Sequence, residues 1–189
     1  MRKIIVFNLV SVDGFFAGPK GEIDWFNADE EFQNFSTENA RSKSSDMLIF
    51  GRVTYELMAR YWPTPDALKN DPVVAGFMNN VPKIVFSRTL KNVKEGPHWK
   101  NIKILHEIKP EDIIKLKEQE GLNILIFGSG TIVQQFANLG LIDEYQLIVN
   151  PIVLGSGKYL FKDVKKMNLK LLSTRTFKSG NILLTYRPA

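Results

Sequence analysis

The chain has 189 residues, of which 44% are hydrophobic and 24% are charged, and it contains no cysteine. This length suits one domain with a sizeable core, and the composition excludes a disordered or collagen-like protein. The lack of cysteine excludes disulfides, thiolate metal sites and cysteine nucleophiles. The net charge of +5 is spread along the chain, whereas nucleic-acid-binding proteins concentrate basic residues on one face. We therefore expect a small anionic ligand and no nucleic-acid partner.

Metal binding and membrane insertion are not predicted either. The two histidines, His98 and His106, are not spaced as metal ligands are. The apolar run at the N-terminus is short, interrupted and alternating, as in a strand rather than a signal peptide. No segment approaches the roughly 18 apolar residues of a membrane span. These features predict a cytoplasmic protein without a metal and without membrane contact.

Short apolar runs alternate with helical patterns along most of the chain. The runs are typical of strands covered on both faces, as in a parallel sheet. The predicted strands are Lys3–Leu9, Asp46–Phe50, Lys83–Phe86, Ile102–Leu105 and Asn123–Phe127. Five helices are predicted. The first begins near Asp29, with Phe32, Phe35 and Ala40 on one face, and the second begins near Val53. The others are Val74–Val81, which ends before Pro82, a helix from Pro110 to a C-cap at Gly121, and Thr131–Leu139, which ends before Gly140. This alternation predicts βαβ units with right-handed crossovers.

The C-terminal part has a different pattern. Strands are predicted at Glu144–Asn150, Leu169–Phe177 and Asn181–Arg187, with no helix between them. Lys178–Gly180 has the composition of a hairpin turn. We expect these strands to be antiparallel, which gives a mixed sheet. No repeat or linker divides the chain, so residues 1–189 are predicted to form a single domain.

At two places a predicted strand leads through glycine into a helix. The first is Gly51, and the second is Gly128–Gly130. A helix N-terminus presents free N–H groups and a partial positive charge, and glycine lets a phosphate approach the backbone. One such junction is equally well a tight turn. Two junctions in one small sheet predict a phosphate-rich dinucleotide beyond the strand ends, although neither has the Rossmann glycine pattern.

Polar side chains near these junctions are candidates for phosphate contacts. Thr54 and Thr131 add hydroxyl groups, and Arg52 adds a fixed charge. Ser87 and Arg88 directly follow a predicted strand. Since the guanidinium fork binds two phosphate oxygens at once, this pair is a candidate for the 2′-phosphate that distinguishes NADPH from NADH. The alternative is a solvated arginine at a strand end.

The segment of residues 11–26 has the composition of a mobile loop. It contains glycines, a proline and Trp25 after the first strand, and such loops commonly close over substrates. Asp13 precedes a glycine, which is also frequent in ordinary turns. A carboxylate enclosed by the neighbouring aromatic residues would have a raised pKa and could act as an acid.

Together these motifs resemble the dihydrofolate reductase superfamily. Within it, the chain is most similar to stand-alone bacterial relatives of the reductase domain of the bifunctional riboflavin-biosynthesis deaminase/reductase. Ser11–Gly14 resembles the S-x-D-G of the riboflavin-type reductases, and Gly21–Trp25 resembles the G-x-I-x-W of the folate reductase loop. Gly51–Glu56 resembles the G-R-x-T-x-E cofactor motif, and Gly128–Thr131 resembles the second glycine-rich cofactor turn. Pro151–Gly157 with Leu160 and Phe161 resembles a late segment of the small relatives.

The resemblance implies a dihydrofolate-reductase-like three-layer α/β/α fold and a possible homodimer. It implies an NADPH-dependent reductase that acts on a pyrimidine- or pterin-like heterocycle, similar to 5-amino-6-(5-phosphoribosylamino)uracil reductase. The implied cofactor-binding residues are Gly51, Arg52, Thr54, Ser87, Arg88, Gly128, Ser129, Gly130, Thr131 and Ile132. The implied substrate-binding residues are Asn8, Ser11, Phe15 and Trp25, and the implied catalytic residues are Asp13 and Glu30.

The sequence also departs from both activities. Glu30 is nearest by spacing to the acid that binds the pteridine ring in folate reductases, but three acids at a helix start also suit the helix dipole. Phe127 stands where riboflavin-type reductases have a glutamate. The cysteine and histidine motifs of a zinc deaminase are absent. Dihydrofolate reductase activity, a non-catalytic nucleotide-binding module and a pure interaction protein remain alternatives.

Overall fold

The computed structural model describes residues 1–42 and 44–189. The strands are β1 (Ile4–Ser11), β2 (Phe15–Ala17), β3 (Ser45–Gly51), β4 (Lys83–Phe86), β5 (Ile102–Leu105), β6 (Asn123–Phe127), β7 (Glu144–Asn150), β8 (Lys158–Tyr159), β9 (Leu169–Thr176) and β10 (Ile182–Pro188). The helices are α1 (Glu30–Arg41), α2 (Arg52–Tyr61), α3 (Pro65–Asn70), α4 (Pro72–Asn80), α5 (Pro110–Glu118) and α6 (Gly130–Asn138).

The described strands form an eight-stranded sheet in the order β5-β4-β3-β6-β1-β7-β10-β9, and β2 pairs with β8 beside it. The strands from β5 to β7 all pair in parallel, whereas β10 is antiparallel to both β7 and β9. This confirms the mixed, mostly parallel sheet. The antiparallel prediction is confirmed for β10 against both β7 and β9, while on its other side β7 pairs in parallel with β1. Since α6 lies between β6 and β7, the chain crosses back before β7 begins and pairs in parallel.

Helices cover both faces of the sheet, because alternate residues of each strand point to opposite sides. On one face, Ile4, Ile49 and Ile126 pack with Ile113 of α5 and Phe136 of α6. On the other face, two clusters form, one under α2 and α4 and one under α1. The buried residues of these clusters are Leu48, Phe50, Tyr55, Met78, Val85 and Trp99 in the first, and Phe32, Phe35, Ile148, Phe177 and Leu183 in the second. This arrangement confirms the predicted three-layer α/β/α architecture.

Most predicted boundaries agree with the structure within one or two residues. Asp29 caps α1, and its carboxylate accepts the N–H of Phe32 at 2.8 Å. The Lys178–Gly180 turn is confirmed, with a φ of 84° at Gly180. The C-cap predicted at Gly121 is wrong, because α5 already ends at Glu118 and Gln119 has extended backbone angles. The short elements β2, β8 and α3 were not predicted.

None of the helices in the described part of the chain is long and apolar enough to span a membrane.

Candidate active site

The two predicted glycine junctions lie side by side. Because β3 and β6 are neighbouring parallel strands, the helices that follow them, α2 and α6, begin at the same edge of the sheet. The N–H of Gly51 donates to the Ser129 hydroxyl at 2.9 Å. The N–H of Ser129 donates to the Thr54 hydroxyl at 3.1 Å. The two junctions are therefore joined by direct hydrogen bonds and form one structural unit.

The second junction has an unusual backbone. Gly128 and Ser129 both have a φ of 62°, and left-handed angles at a non-glycine residue cost roughly 1–2 kcal/mol. The surrounding hydrogen bonds hold the turn in this shape. The Ser129 hydroxyl donates to the carbonyl of Phe127 at 3.1 Å, and the Asn8 amide donates to the carbonyl of Gly128 at 3.0 Å. Strain kept in place in this way is typical of functional turns.

Close packing requires small residues at both junctions. A methyl group on Gly51 would lie 3.1 Å from Ile132, and one on Gly128 would lie 3.0 Å from Thr54. A methyl group on Gly130 would collide with the ring of Phe16. The glycines therefore allow the two helix N-termini and β2 to come together, which places positive helix ends at one location.

A cleft of about 1220 Å³ opens above these junctions. The predicted site residues that line it are Asn8, Trp25, Gly51, Arg52, Thr54, Ser87, Arg88, Gly128, Ser129, Gly130, Thr131 and Ile132. All of the predicted cofactor-binding residues are thus brought together. Four predicted residues do not line the cleft, namely Ser11, Asp13, Phe15 and Glu30.

The charged side chains that line the cleft are mainly cationic. They are Arg52, Arg88, Lys158 and Lys162, with Glu107 as the single carboxylate among the described residues of the lining. Arg52 pairs with Glu56 at 3.0 Å, and Glu107 pairs with Lys109 at 2.7 Å. Within residues 1–42 and 44–189 no cluster of three or more carboxylate and histidine side chains is placed to hold a metal ion. The electrostatics of the cleft suit an anionic ligand.

Ser87 shapes the turn that carries Arg88. The buried hydroxyl of Ser87 accepts the N–H groups of Thr89 at 3.2 Å and Leu90 at 2.9 Å. The carbonyl of Ser87 lies 2.8 Å from Nδ1 of His106, which follows the neighbouring strand β5. Arg88 itself is exposed. The turn therefore fixes the backbone from which the Arg88 guanidinium reaches the cleft.

Asp13 is bonded away from the cleft. Its carboxylate accepts the N–H groups of Gly155 at 2.8 Å and Leu154 at 3.1 Å. A hydrogen bond with the Ser11 side chain, together with these two, lowers the pKa of Asp13 below its ordinary value. The raised pKa expected for Asp13 is therefore wrong, because the site provides N–H donors instead of an apolar enclosure. In this structure Asp13 joins the loop after β1 to the segment after β7.

The other predicted residues outside the cleft also have structural contacts. Glu30 is exposed at the start of α1, as expected if it only complements the helix dipole. Ser11 bonds the backbone of Phe15 through its hydroxyl, at 3.0 Å and 3.3 Å. Phe15 is buried and stacks on Tyr159, with 4.1 Å between ring centroids. The predicted roles of these residues in catalysis or substrate binding receive no support from their contacts.

Sequence reasoning missed several residues of the cleft. Lys158 and Tyr159 belong to β8, a two-residue strand with no periodicity to find it by. His106 directly follows a predicted strand, as Ser87 does, and this shared position at a strand end was the signal that could have placed both residues at the cleft. Phe7 was missed as well, and it lines the cleft stacked on Phe127, with 5.6 Å between ring centroids; the sequence had marked Phe127 only as a departure from the riboflavin-type reductases. Because successive side chains of a strand point to opposite faces of the sheet, the sequence of β1 was enough to place Phe7 on the other face from the buried Val6.

Comparisons with known proteins agree with this geometry. The chain is 35% identical over 188 residues to the uncharacterized Bacillus subtilis protein YyaP, covering 98% of this chain and 94% of YyaP. It resembles a solved protein from Shewanella sp. PV-4, named provisionally as a riboflavin biosynthesis protein, with 25% identity, a TM-score of 0.72 and 99% of each chain covered.

The fold is shared more widely. Dihydrofolate reductase from Enterococcus faecalis, solved in complex with NADP(H), is 15% identical, with a TM-score of 0.64 and coverage of 98% of this chain and 96% of that chain. This likeness concerns the fold alone, and it confirms the predicted dihydrofolate-reductase-like fold. The model of the RibD C-terminal domain family matches residues 2–183, nearly the whole length. The chain therefore belongs to the RibD C-terminal domain family.

Proposed function

We propose that this protein is an NADPH-dependent reductase that transfers a hydride to a pyrimidine- or pterin-like heterocycle. The observation that carries the proposal is the meeting of two glycine junctions at one edge of the sheet, over a cleft lined by cations. Membership in the RibD C-terminal domain family supports an oxidoreductase. The provisional name of the Shewanella protein supports a substrate of the riboflavin-pathway type.

The residues present fit a dinucleotide. The N-termini of α2 and α6 provide N–H groups and a partial positive charge for phosphates, and Gly130 leaves room at the start of α6. Arg52 and Arg88 line the cleft beyond β3 and β4. Because Arg88 is exposed on a turn held by Ser87, it is the candidate for the 2′-phosphate of NADPH.

Bound NADPH would supply the hydride, and the protein would orient the two rings and exclude water. Among the described residues, the carboxylate that lines the cleft is Glu107, which is paired with Lys109. Asp13 has a lowered pKa and lies outside the lining, so it is a poor proton donor. We therefore assign the proton to water and assign Asp13 a positioning role for the N-terminal loop.

The alternatives differ in how far the site supports them. Dihydrofolate reductase activity, as implied by resemblance, requires an acid against the pteridine ring, but Glu30 is exposed and outside the cleft. A non-catalytic nucleotide-binding module is favoured by one observation, namely that neither predicted catalytic acid lines the cleft. Oxidation of NADPH in the presence of a substrate would indicate a reductase, and binding without oxidation would indicate the module.

The test is a titration with NADPH and NADH that follows tryptophan fluorescence, since Trp25 lines the cleft. We expect quenching, with NADPH bound more tightly than NADH. Arg88→Ala should reduce this preference about tenfold, because an arginine–phosphate contact is lost. The matched control is Arg41→Ala, which removes an exposed arginine outside the cleft and should leave the preference unchanged.

Two results would overturn parts of the proposal. If neither nucleotide binds, the cofactor site is absent and the reductase proposal fails. If NADPH binds but is not oxidised with any pyrimidine or pterin, the nucleotide-binding module is the better description. The cytoplasmic location and the homodimer remain predictions.

A further inference from the structure

His106 is a cleft residue to which the proposed function gives no role. It is exposed, lines the cleft and directly follows β5. In the sheet, β5 pairs in parallel with β4, and Phe86 and Leu105 are register partners at the ends of these two strands. His106 therefore lies beside Ser87, at the same edge of the sheet where α2 and α6 begin.

The hydrogen bond of His106 decides which ring nitrogen is left for a ligand. Its Nδ1 lies 2.8 Å from the carbonyl of Ser87. Because a carbonyl oxygen can only accept a hydrogen bond, Nδ1 carries the hydrogen. Within the described part of the chain the ring makes no other hydrogen bond. Protonation of the ring adds an N–H group at Nε2, which gives His106 a charged donor for an anion.

Arg88 brings a second cationic group to the same place. It is the next residue after Ser87, and like His106 it lines the cleft. Among the described residues Arg88 forms no ion pair with a carboxylate. The neighbouring carboxylate, Glu107, is paired with Lys109 at 2.7 Å. The two groups suit a phosphate monoester, whose three oxygens accept several charge-assisted hydrogen bonds.

The strand order relates this position to the two glycine junctions. In the order β5-β4-β3-β6, Arg88 follows the strand next to β3, and His106 follows the strand beyond it. Neighbouring strands are about 4.8 Å apart, so β4 and β5 end roughly 5 and 10 Å to one side of β3. In NADPH a single ribose separates the 2′-phosphate from the pyrophosphate. A pyrophosphate bound at the junctions therefore leaves the 2′-phosphate within reach of both side chains.

We propose that His106 is a specificity-determining residue that binds the 2′-phosphate of NADPH through Nε2, together with Arg88. This inference rests on the proposed function and adds a second residue to the recognition of that phosphate. The Ser87 carbonyl orients the imidazole ring, and the backbone of the Ser87 turn places the arginine beside it.

Three probes isolate the contact, and isothermal titration calorimetry measures their affinities. Adenosine 2′,5′-bisphosphate and adenosine 5′-monophosphate differ only in the 2′-phosphate. We expect the original protein to bind the bisphosphate more tightly than the monophosphate. Ribose 5-phosphate is the third probe, because the phosphate of a sugar-phosphate substrate would offer the same chemistry to His106 and Arg88.

Two variants of His106 separate ligand binding from structure. An asparagine amide takes the position of Nδ1 and keeps a donor to the Ser87 carbonyl, whereas a glutamine amide takes the position of Nε2. His106→Asn should lower the preference for the bisphosphate about tenfold, as expected for the loss of a hydrogen bond to a charged group. His106→Gln should retain more of this preference, and both variants should bind the monophosphate as the original protein does. The matched control is His98→Asn, which changes an exposed histidine outside the cleft lining.

Three outcomes would overturn the inference. The first is an unchanged preference in His106→Asn. The second is a loss in His106→Gln as large as that in His106→Asn, which would show that the bond to Ser87 is what matters. The third is weakened binding of ribose 5-phosphate, and not of the bisphosphate, by His106→Asn. Failure of the original protein to bind NADPH would instead refute the proposed function, so the two failures are distinguishable.

Discussion

Ser129 is the residue whose removal tests the coupling of the two glycine junctions. The side chain is 5% exposed, accepts the N–H of Gly51 at 2.9 Å and donates to the carbonyl of Phe127 at 3.1 Å. Ser129→Ala removes both hydrogen bonds while the left-handed backbone remains. At about 1 kcal/mol for each bond, the variant should lose about 2 kcal/mol of unfolding free energy. For a chain of this size, that corresponds to a fall in Tm of about 4–8 °C.

Ser129→Gly separates the two contributions. It loses the same hydrogen bonds but relieves the left-handed backbone, which is worth roughly 1–2 kcal/mol. The greater freedom of glycine in the unfolded chain offsets about 0.5–1 kcal/mol of this gain. The glycine variant should therefore be more stable than the alanine variant by up to about 1.5 kcal/mol.

The assay is urea unfolding of the three proteins, followed by NADPH titration of each. Both variants should bind NADPH about tenfold more weakly, because the Gly51 turn loses its anchor. An alanine variant as stable as the original protein would refute the coupling of the junctions. A glycine variant less stable than the alanine variant would show that strain at Ser129 is not important.

Three further predictions concern other parts of the molecule. Gly130→Leu should abolish NADPH binding in the fluorescence titration, because the new side chain at the start of α6 would collide with the ring of Phe16. Retained binding would show that this position is not at the cofactor site. Burial lowers the pKa of Lys83 from 10.5 to about 8. The unfolded chain therefore binds more protons than the folded one between these pH values. The free energy of unfolding should rise by about 1–3 kcal/mol as pH increases through this window. Urea unfolding at several pH values should show that slope, and Lys83→Met should remove it. Asp13→Asn should destabilise the protein at neutral pH. The lowered pKa of Asp13 reflects stabilisation that is present above its ordinary pKa and is lost as pH falls through the lowered value. Unfolding measured as a function of acid pH checks this, and the same acid dependence in the variant and the original protein would contradict it.

Local features of the sequence were sufficient for most of the secondary structure. Mainly apolar runs identified the parallel strands, because strands covered on both faces have few polar positions. Asp29 identified the start of α1, because its carboxylate caps the first turn. Gly121 was misleading as a helix stop, since α5 ends earlier, at Glu118. Two-residue β8 could not be predicted, because it is held by residues distant in sequence: it pairs with β2, and Tyr159 stacks on Phe15 and accepts a hydrogen bond from Gln134.

The residues that we propose to bind the cofactor could also be predicted from sequence. Glycine between a strand and a helix has a local physical meaning, and two such junctions indicated one ligand. Arg52 and Arg88 were predicted from their positions at strand ends, and both line the cleft. These inferences needed only the neighbouring residues along the chain and the rule that parallel strands end at one edge.

The tertiary structure alone decided which side chains line the cleft. Asp13 was expected near the reaction, but its carboxylate is bonded to the N–H groups of Leu154 and Gly155, more than a hundred residues away in sequence. Phe7 and Phe127 are separated by a similar length of chain and meet because β1 and β6 pair in register. Local pattern determines which segments form strands and helices, because backbone hydrogen bonding and side-chain period are local. The pairing of distant strands determines the chemistry of the cleft, because it sets which side chains come together.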